Sequence, residues 1–190
     1  RERIDEAFSV YYNCFTSGWW HWMVQNHLES AVKSESERRK RLADGRAKFI
    51  KWFSERKDAY ENDGKLVKFK IMQFRLNASM PNEDGIAAEA QSVKKLIAAE
   101  KDPKRQKEYV DGVIDTLLKT KRYDLARIFP DCLQSHLDAA WFRYQIERAD
   151  SKWKESLMCL DEYLSRKPSP QQAKEAKYII AEICRDHINQ

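Results

Sequence analysis

The side chains most able to do chemistry are sparse in this sequence and rarely stand at spacings that build a site. Cys184 and His187 would share one face of a helix, but no matching pair of metal ligands stands nearby. His21 and His27 are too far apart in register to point the same way from a helix. We therefore expect no metal site and no cofactor.

The sequence also lacks a motif that predicts catalysis. No two glycines fall within a loop of the kind that cradles a phosphate group. Most acidic residues are interspersed with lysine and arginine, as on a solvated helix face, so nothing indicates a catalytic pair of carboxylates. We expect no catalytic residues and a protein that is not an enzyme. A helical enzyme whose active site assembles only in three dimensions is the weaker alternative.

The most basic stretch, from Lys33 to Lys57, could bind the phosphate backbone of a nucleic acid. It holds ten basic and four acidic side chains. Because Arg38 to Arg41 are consecutive, they would spread around a helix, so a solvated surface is the simpler interpretation. The residues that would form the nucleic-acid interface are Arg38, Arg39, Lys40, Arg41, Arg46, Lys48, Lys51 and Trp52.

The composition predicts an all-α protein. Only five glycines and five prolines occur among 190 residues, of which 42 % are apolar and 34 % charged, and this balance favours long amphipathic helices. The net charge of +5 permits an acidic partner without requiring one.

The four cysteines, Cys14, Cys132, Cys159 and Cys184, form no CxxC pair and stand beside apolar residues. We interpret them as buried thiols of a protein from a reducing, intracellular compartment, most simply the cytoplasm. Because the chain begins with Arg1, we also expect that native targeting information is missing from it.

Periodicity divides the chain into an N-terminal long helical hairpin, residues 1–64, and an α-helical array, residues 65–190, which could also be one continuous domain. Between Ala7 and Leu28 an aromatic stripe has helical spacing, and its many polar residues argue against a membrane span. We interpret it as a core helix, and a helix lying on a membrane surface is the alternative. Residues 65–78 suit a helix or a strand, and the helical surroundings favour a helix.

The array begins with clear helical signals. Ile86, Ala90, Val93 and Ile97 form one apolar stripe, and Val110, Val113, Ile114 and Leu117 form the next. Asp102-Pro103 and Ser169-Pro170 each predict a capped helix start with proline in the first turn. Pro130 predicts either a kink or a new start in the helix that follows Tyr123. Later stripes are Leu137, Trp141 and Tyr144, then Trp153, Leu157, Leu160 and Leu164, then Ala173, Ala176, Ile180, Ile183 and His187.

Two segments thirty residues apart repeat weakly, each with an aromatic residue followed three positions later by a small one. They contain Tyr123 and Ala126, then Trp153 and Ser156, and each runs on to large apolar residues. The hairpins between Gly112 and Pro168 resemble tetratricopeptide repeats: Ala140-Trp141 in a first helix, Trp153, Ser156 and Leu160 in a second, Pro168 as the closing proline, and Tyr123, Ala126 and Leu133 in the preceding unit. The match departs from the family in its period, in the absence of a glycine in the first helix, and at Pro130.

The resemblance implies right-handed stacking of helical hairpins and a groove that receives a peptide or a helix of another protein. It thereby implies a non-enzymatic interaction scaffold or adaptor, and we expect no membrane surface as partner. The implied groove residues are Asp111, Asp115, Lys119, Asp138, Trp141, Gln145 and Arg148. Trp141 could equally be a core residue.

Overall fold

The computed structural model describes Lys51, Glu55, residues 66–78 and residues 85–188. All regular structure in these ranges is helical and none of it is a strand, which confirms the all-α prediction there. The predicted N-terminal hairpin, the Ala7–Leu28 stripe and the predicted boundary near Gly64 lie outside the described residues. The chain divides into two units between Leu76 and Asn77.

The first described helix, α1, spans Leu66–Ala78 and settles the choice between helix and strand in favour of the helix. Its buried side chains include Phe69, Met72 and Phe74. The alternation of apolar residues with lysines therefore did not produce a strand. Met72 follows Phe69 by three positions and Phe74 follows it by five, so the buried side chains lie on more than one side of the helix.

The second unit is a chain of helices with short connections. α2 spans Ile86–Ala98, α3 Pro103–Lys119, α4 Tyr123–Ala126, α5 His136–Ala149, α6 Trp153–Ser165 and α7 Pro170–Ile183. A 3₁₀ turn, Pro130–Cys132, lies between α4 and α5, and a π-helical turn, Cys184–Ile188, follows α7. α5 packs most extensively against α6, and α3 and α7 adjoin this central pair.

Both predicted helix starts are confirmed. The Asp102 carboxylate accepts a hydrogen bond from the Lys104 backbone N–H at 2.9 Å, and Pro103 opens α3. Ser169 caps α7 in a reciprocal box with Gln172, with Pro170 in the first turn. A third cap that the sequence analysis did not identify is Ser135, whose hydroxyl accepts from the Asp138 N–H at the start of α5.

The apolar stripes of α2 and α3 are buried as predicted, but the stripe of α5 is different. Leu137 and Trp141 are only half-buried, whereas Ala140, Phe142 and Ile146 are buried. The reason is that α5 packs against α3, the 3₁₀ turn and α6. Its buried side chains are therefore spread over more than one face of the helix. In α7 the buried residues are Ala176, Ile179 and Ile183.

The segment after Tyr123 is shorter than a full repeat helix. α4 ends at Ala126 after a single turn, and Pro130 starts a separate 3₁₀ turn. Of the two predicted outcomes, the chain takes the new start, since proline has no N–H to continue the earlier ladder. Phe129 and Pro130 are both buried, so this irregular segment is anchored in the core.

Three helices end in the same way, with a non-glycine residue in the left-handed region. Lys121, Ser151 and Lys167 follow α3, α5 and α6 with φ values of 57°, 59° and 56°. After α5, the Lys152 N–H donates to Glu147 O at 2.9 Å and the Ser151 N–H to Arg148 O at 3.1 Å, the two bonds of a Schellman motif. The ends of α3 and α5 correspond to each other in the thirty-residue repeat, because the helices that follow them begin at Tyr123 and Trp153.

Replacing Ser151 with glycine is expected to raise the free energy of unfolding by about 0.5–1 kcal/mol. Glycine adopts positive φ without the steric penalty that a Cβ atom brings, and this gain exceeds its extra entropy in the unfolded chain. Chemical denaturation measures the change. Ser165→Gly, inside the last turn of α6, is the matched control and should lower stability instead.

Candidate partner-binding surface

Four of the predicted groove residues form one stripe along α5. Asp138, Trp141, Gln145 and Arg148 follow one another at spacings of three, four and three, so they lie on one helix face. Trp141 and Gln145 are half-buried, and Arg148 is exposed. The structure thus brings these four residues together.

Neighbouring helices meet this stripe at both ends. Lys107 of α3 donates to the Asp138 carboxylate at 2.6 Å, and the Arg148 guanidinium lies 3.4 Å from the Glu182 carboxylate of α7. Lys107 and Asp138 are both near the N-terminal ends of their helices, whereas Arg148 and Glu182 are near the C-terminal ends. The Arg148–Glu182 pair joins the C-terminal ends of α5 and α7, and the connections through α6 are short. α5 and α7 therefore run in the same direction.

Trp141 belongs both to the core and to the surface. Its ring centroid lies 5.0 Å from that of Tyr144 and 5.1 Å from that of Tyr163, in tilted contacts. Tyr144 and Tyr163 are buried in the cluster that joins α5, α6 and α7, whereas Trp141 is half-buried at its edge. The buried tyrosines therefore hold the indole in place while part of it faces outward.

Acidic side chains of α5 and α7 raise the pKa of the same buried tyrosine. Burial raises the pKa of Tyr163, and the negative charges of Glu175 and Asp138 raise this pKa further. Glu175 is exposed on α7 and lies one helical turn before Tyr178, which is 71 % exposed. Both carboxylates therefore disfavour the ionised form of the Tyr163 hydroxyl.

The remaining predicted groove residues lie on α3. Asp115 and Lys119 form an ion pair with each other at 2.8 Å, one turn apart. Asp111 is exposed one turn after Lys107. The contacts of the described residues tie α3 to the α5 stripe through Lys107, a residue that sequence reasoning did not single out. Its exposed position within a charged helix gave no signal of this role.

Sequence reasoning also missed two arginine clusters away from this surface. Arg127 donates to both carboxylate oxygens of Glu147 at 2.8 Å and also pairs with Asp150. Arg143 of α5 lies 2.9 Å from the Asp131 carboxylate and 3.3 Å from that of Glu162. These pairs join segments 12–23 residues apart in the chain, which no local pattern could reveal.

The described cysteines are all free thiols. Cys132 is buried, as predicted, and desolvation raises its pKa to about 11, so its reactive thiolate is scarce at neutral pH. Cys159 and Cys184 are only half-buried, which corrects the prediction for them. Cys159 packs against the edge of the α5–α6–α7 cluster, and Cys184 lies in the π-helical turn that follows α7. Cys14 lies outside the described residues.

The small residue of the second repeat segment, Ser156, is fully buried in α6. Its hydroxyl has no hydrogen-bond partner among the described residues. Replacing it with alanine is therefore expected to raise the free energy of unfolding by about 1 kcal/mol, because an unsatisfied buried hydroxyl is costly and alanine favours helix. Thermal and urea denaturation measure the change. Ser156→Val should instead destabilise the protein, since added methyl groups have no room in a packed interface.

Most of the predicted nucleic-acid interface lies outside the described residues: Arg38, Arg39, Lys40, Arg41, Arg46, Lys48 and Trp52. Lys51 is described, and it is helical and exposed. Its carbonyl accepts a hydrogen bond from the Glu55 N–H at 3.0 Å, which continues a helical turn.

Comparison with protein-family models, with curated proteins and with solved structures finds no match to this chain. In the part of the chain that the structure describes, no helix has the length and apolar character needed to cross a membrane. Within the same ranges, no three His, Cys, Asp or Glu side chains are arranged to hold a metal ion.

Proposed function

We propose that the chain is a non-enzymatic protein-interaction scaffold and that the face of α5 centred on Trp141 receives a peptide or a helix of another protein. The observation that carries the proposal is the half-exposed indole, held by buried tyrosines and flanked on both sides by charged residues of neighbouring helices. Aromatic residues anchored in this way are the side chains that most often dominate the energy of protein interfaces.

The arrangement of the helices supports the same proposal. Hairpins with short connections pack α6 against both α5 and α7, and one ion pair, Arg148–Glu182, joins α5 to α7. A rigid surface of this kind binds an extended or helical segment with little loss of its own conformational entropy. Tetratricopeptide-like stacking would extend the surface to α3 through the Lys107–Asp138 pair.

The proposal is tested with a random peptide library displayed on phage and selected against the whole chain. We expect selected peptides to bind the wild type and to bind Trp141→Ala roughly tenfold more weakly or worse, a loss of about 1.4 kcal/mol or more. Fluorescence anisotropy with the synthetic peptides measures the affinities. Circular dichroism and thermal unfolding check that the variant remains folded.

Two further variants make the result specific. Gln145→Arg alters the same stripe at a half-buried position and should also weaken binding. Met158→Ala removes a side chain that is 70 % exposed on α6, away from the stripe, and should leave binding unchanged. Failure to select any peptide, or peptides whose affinity is the same for wild type and both stripe variants, would overturn the proposal.

A further inference from the structure

We infer that the C-terminal turn is a pH-sensitive latch, in which protonation of His187 tightens the contact of its ring with the indole of Trp153 and so holds the end of α7 against α6. The latch consists of Trp153, the first residue of α6, and the π-helical turn Cys184–Ile188. Its closure requires no partner, so it goes beyond the proposed scaffold function.

The two rings of the latch are stacked face to face. Their centroids lie 3.6 Å apart and their planes differ by only 1°. Trp153 is half-buried at the edge of the α5–α6–α7 cluster, whereas His187 is exposed. The imidazole therefore covers one face of the indole and can still exchange its proton with solvent.

The π-helical turn attaches the chain to α6 through a second side chain. Ile188, the last residue of the turn, is half-buried and packs against the same cluster as Trp153. The turn as a whole contacts α6. π-helical turns are rare and are frequent at functional sites, and their wider hydrogen-bonded loop changes the direction of the side chains that follow. The end of α7 is therefore held by His187 and Ile188 together.

Protonation of His187 places a positive charge where two neighbouring groups favour it. The face of an aromatic ring attracts a cation, and tryptophan is the strongest aromatic residue in this respect. Asp186 is the second group. Hydrogen bonding to Arg185 is the main cause that lowers the pKa of Asp186, and the positive charge of His187 lowers it further. The imidazolium is therefore held against the indole more firmly than the neutral imidazole is.

The charged side chains on the elements around the latch stand in pairs of opposite sign. They are Lys152 with Asp150, Glu182 with Arg148, Arg185 with Asp186, and the exposed neighbours Lys154 and Glu155. The remaining titratable group of the turn is the thiol of Cys184. Imidazole is the side chain whose ordinary titration lies between about pH 5 and pH 8. The extra attraction is therefore present in mild acid and is lost as the pH rises and the imidazole gives up its proton.

The experiment measures backbone amide hydrogen exchange of the turn by NMR, in the full chain, at about pH 5.5 and about pH 7.5. After correction for the intrinsic pH dependence of exchange, the turn of the wild type should open roughly threefold more often at the higher pH, as the loss of an exposed cation–π contact predicts. His187→Phe keeps a stacked ring that does not titrate, so its turn should open equally at both pH values. His136→Phe, at an exposed position at the start of α5, is the matched control and should respond like the wild type.

Two further variants identify the group that responds to the proton. Trp153→Leu should abolish the pH response, whereas Asp186→Asn should retain most of it. Equal opening of the wild-type turn at both pH values, or an undiminished response in His187→Phe, would overturn the latch. Loss of the response in Asp186→Asn but not in Trp153→Leu would also overturn it, because the carboxylate and not the indole would then hold the imidazolium.

A measurement on the wild type alone covers the case in which Trp153→Leu fails to fold. Nuclear Overhauser contacts between the rings of Trp153 and His187 should be strong at about pH 5.5 and weaker at about pH 7.5. Contacts of the same strength at both pH values would contradict the latch.

Discussion

Replacing Gln106 with alanine is expected to lower the free energy of unfolding by about 3 kcal/mol. Gln106 is 1 % exposed, and its amide joins three parts of the chain. The amide N–H groups donate to Ile97 O at 3.2 Å and to Glu100 O at 3.4 Å, at the end of α2. The amide oxygen accepts from the Gln134 N–H at 2.9 Å, just before α5. Alanine would leave these groups without this partner and create a cavity.

Two companion variants separate the causes of this loss. Gln106→Leu fills most of the volume but cannot hydrogen-bond, so it should cost about 2 kcal/mol. Gln134→Ala removes an exposed side chain with one bond of 3.3 Å, to Glu100 O, and keeps the backbone N–H that Gln106 binds. It should change stability by less than about 0.5 kcal/mol. Urea denaturation of the three variants decides the matter, and a Gln106→Ala protein as stable as wild type would contradict the bridging role.

Replacing Arg127 with methionine is expected to destabilise the protein by about 2 kcal/mol. Its guanidinium binds both oxygens of Glu147, whose side chain is only 14 % exposed, and also pairs with Asp150. Methionine preserves much of the apolar stem but leaves two neighbouring carboxylates without their shared cation. The Arg127–Glu147 pair is part-buried, with 25 % and 14 % of the two side chains exposed, so the carboxylate that loses its partner stays partly desolvated.

The double variant Arg127→Met with Glu147→Gln should recover part of the lost stability, because the uncompensated charge is then removed. Asp124 also contacts Arg127, but its side chain is 99 % exposed, so Asp124→Asn should change little. Chemical denaturation gives the three free energies. If the double variant is no more stable than Arg127→Met, the loss comes from packing and not from charge.

The same cluster predicts a pH dependence. Hydrogen bonding to Arg127 holds the pKa of Asp150 below its usual value. A carboxylate with a depressed pKa contributes stability at neutral pH, and this contribution is lost as the pH falls below about 4 and the folded protein must take up the proton. The advantage of wild type over Arg127→Met should therefore shrink in acid.

Local patterns were sufficient for most of the described helices. The stripes of α2 and α3 could be read from residues such as Val93 and Val113, because burial of one helix face repeats every three to four positions. The starts of α3 and α7 could also be predicted, since the side chains of Asp102 and Ser169 bond backbone N–H groups in the first turn of the helix that each one caps. Where the structure describes the segment predicted over residues 65–78, at Leu66–Ala78, the choice of a helix over a strand is confirmed, although it depended on the surroundings rather than on the segment itself.

The candidate surface could be predicted only in part. The groove residues from Asp138 to Arg148 were proposed through the resemblance to tetratricopeptide repeats, and helical spacing places them on one face of α5. Their neighbours could not be foreseen: Lys107 and Glu182 are 31 and 34 residues from their partners. The groove residues proposed on α3, such as Asp115, came from the resemblance to tetratricopeptide repeats, and their role stays a prediction.

The sequence by itself determined where α3 and α7 begin and which side of α2 and α3 is apolar, because capping and periodicity act within one or two turns. Tertiary structure decided the rest. It made α5 the central helix, with more than one buried face, and ended α4 after one turn so that Phe129 could enter the core. It also left the indole of Trp141 half outside that core. The physical reason is that burial depends on which neighbours cover a face, and those neighbours are brought by parts of the chain that no local spacing encodes.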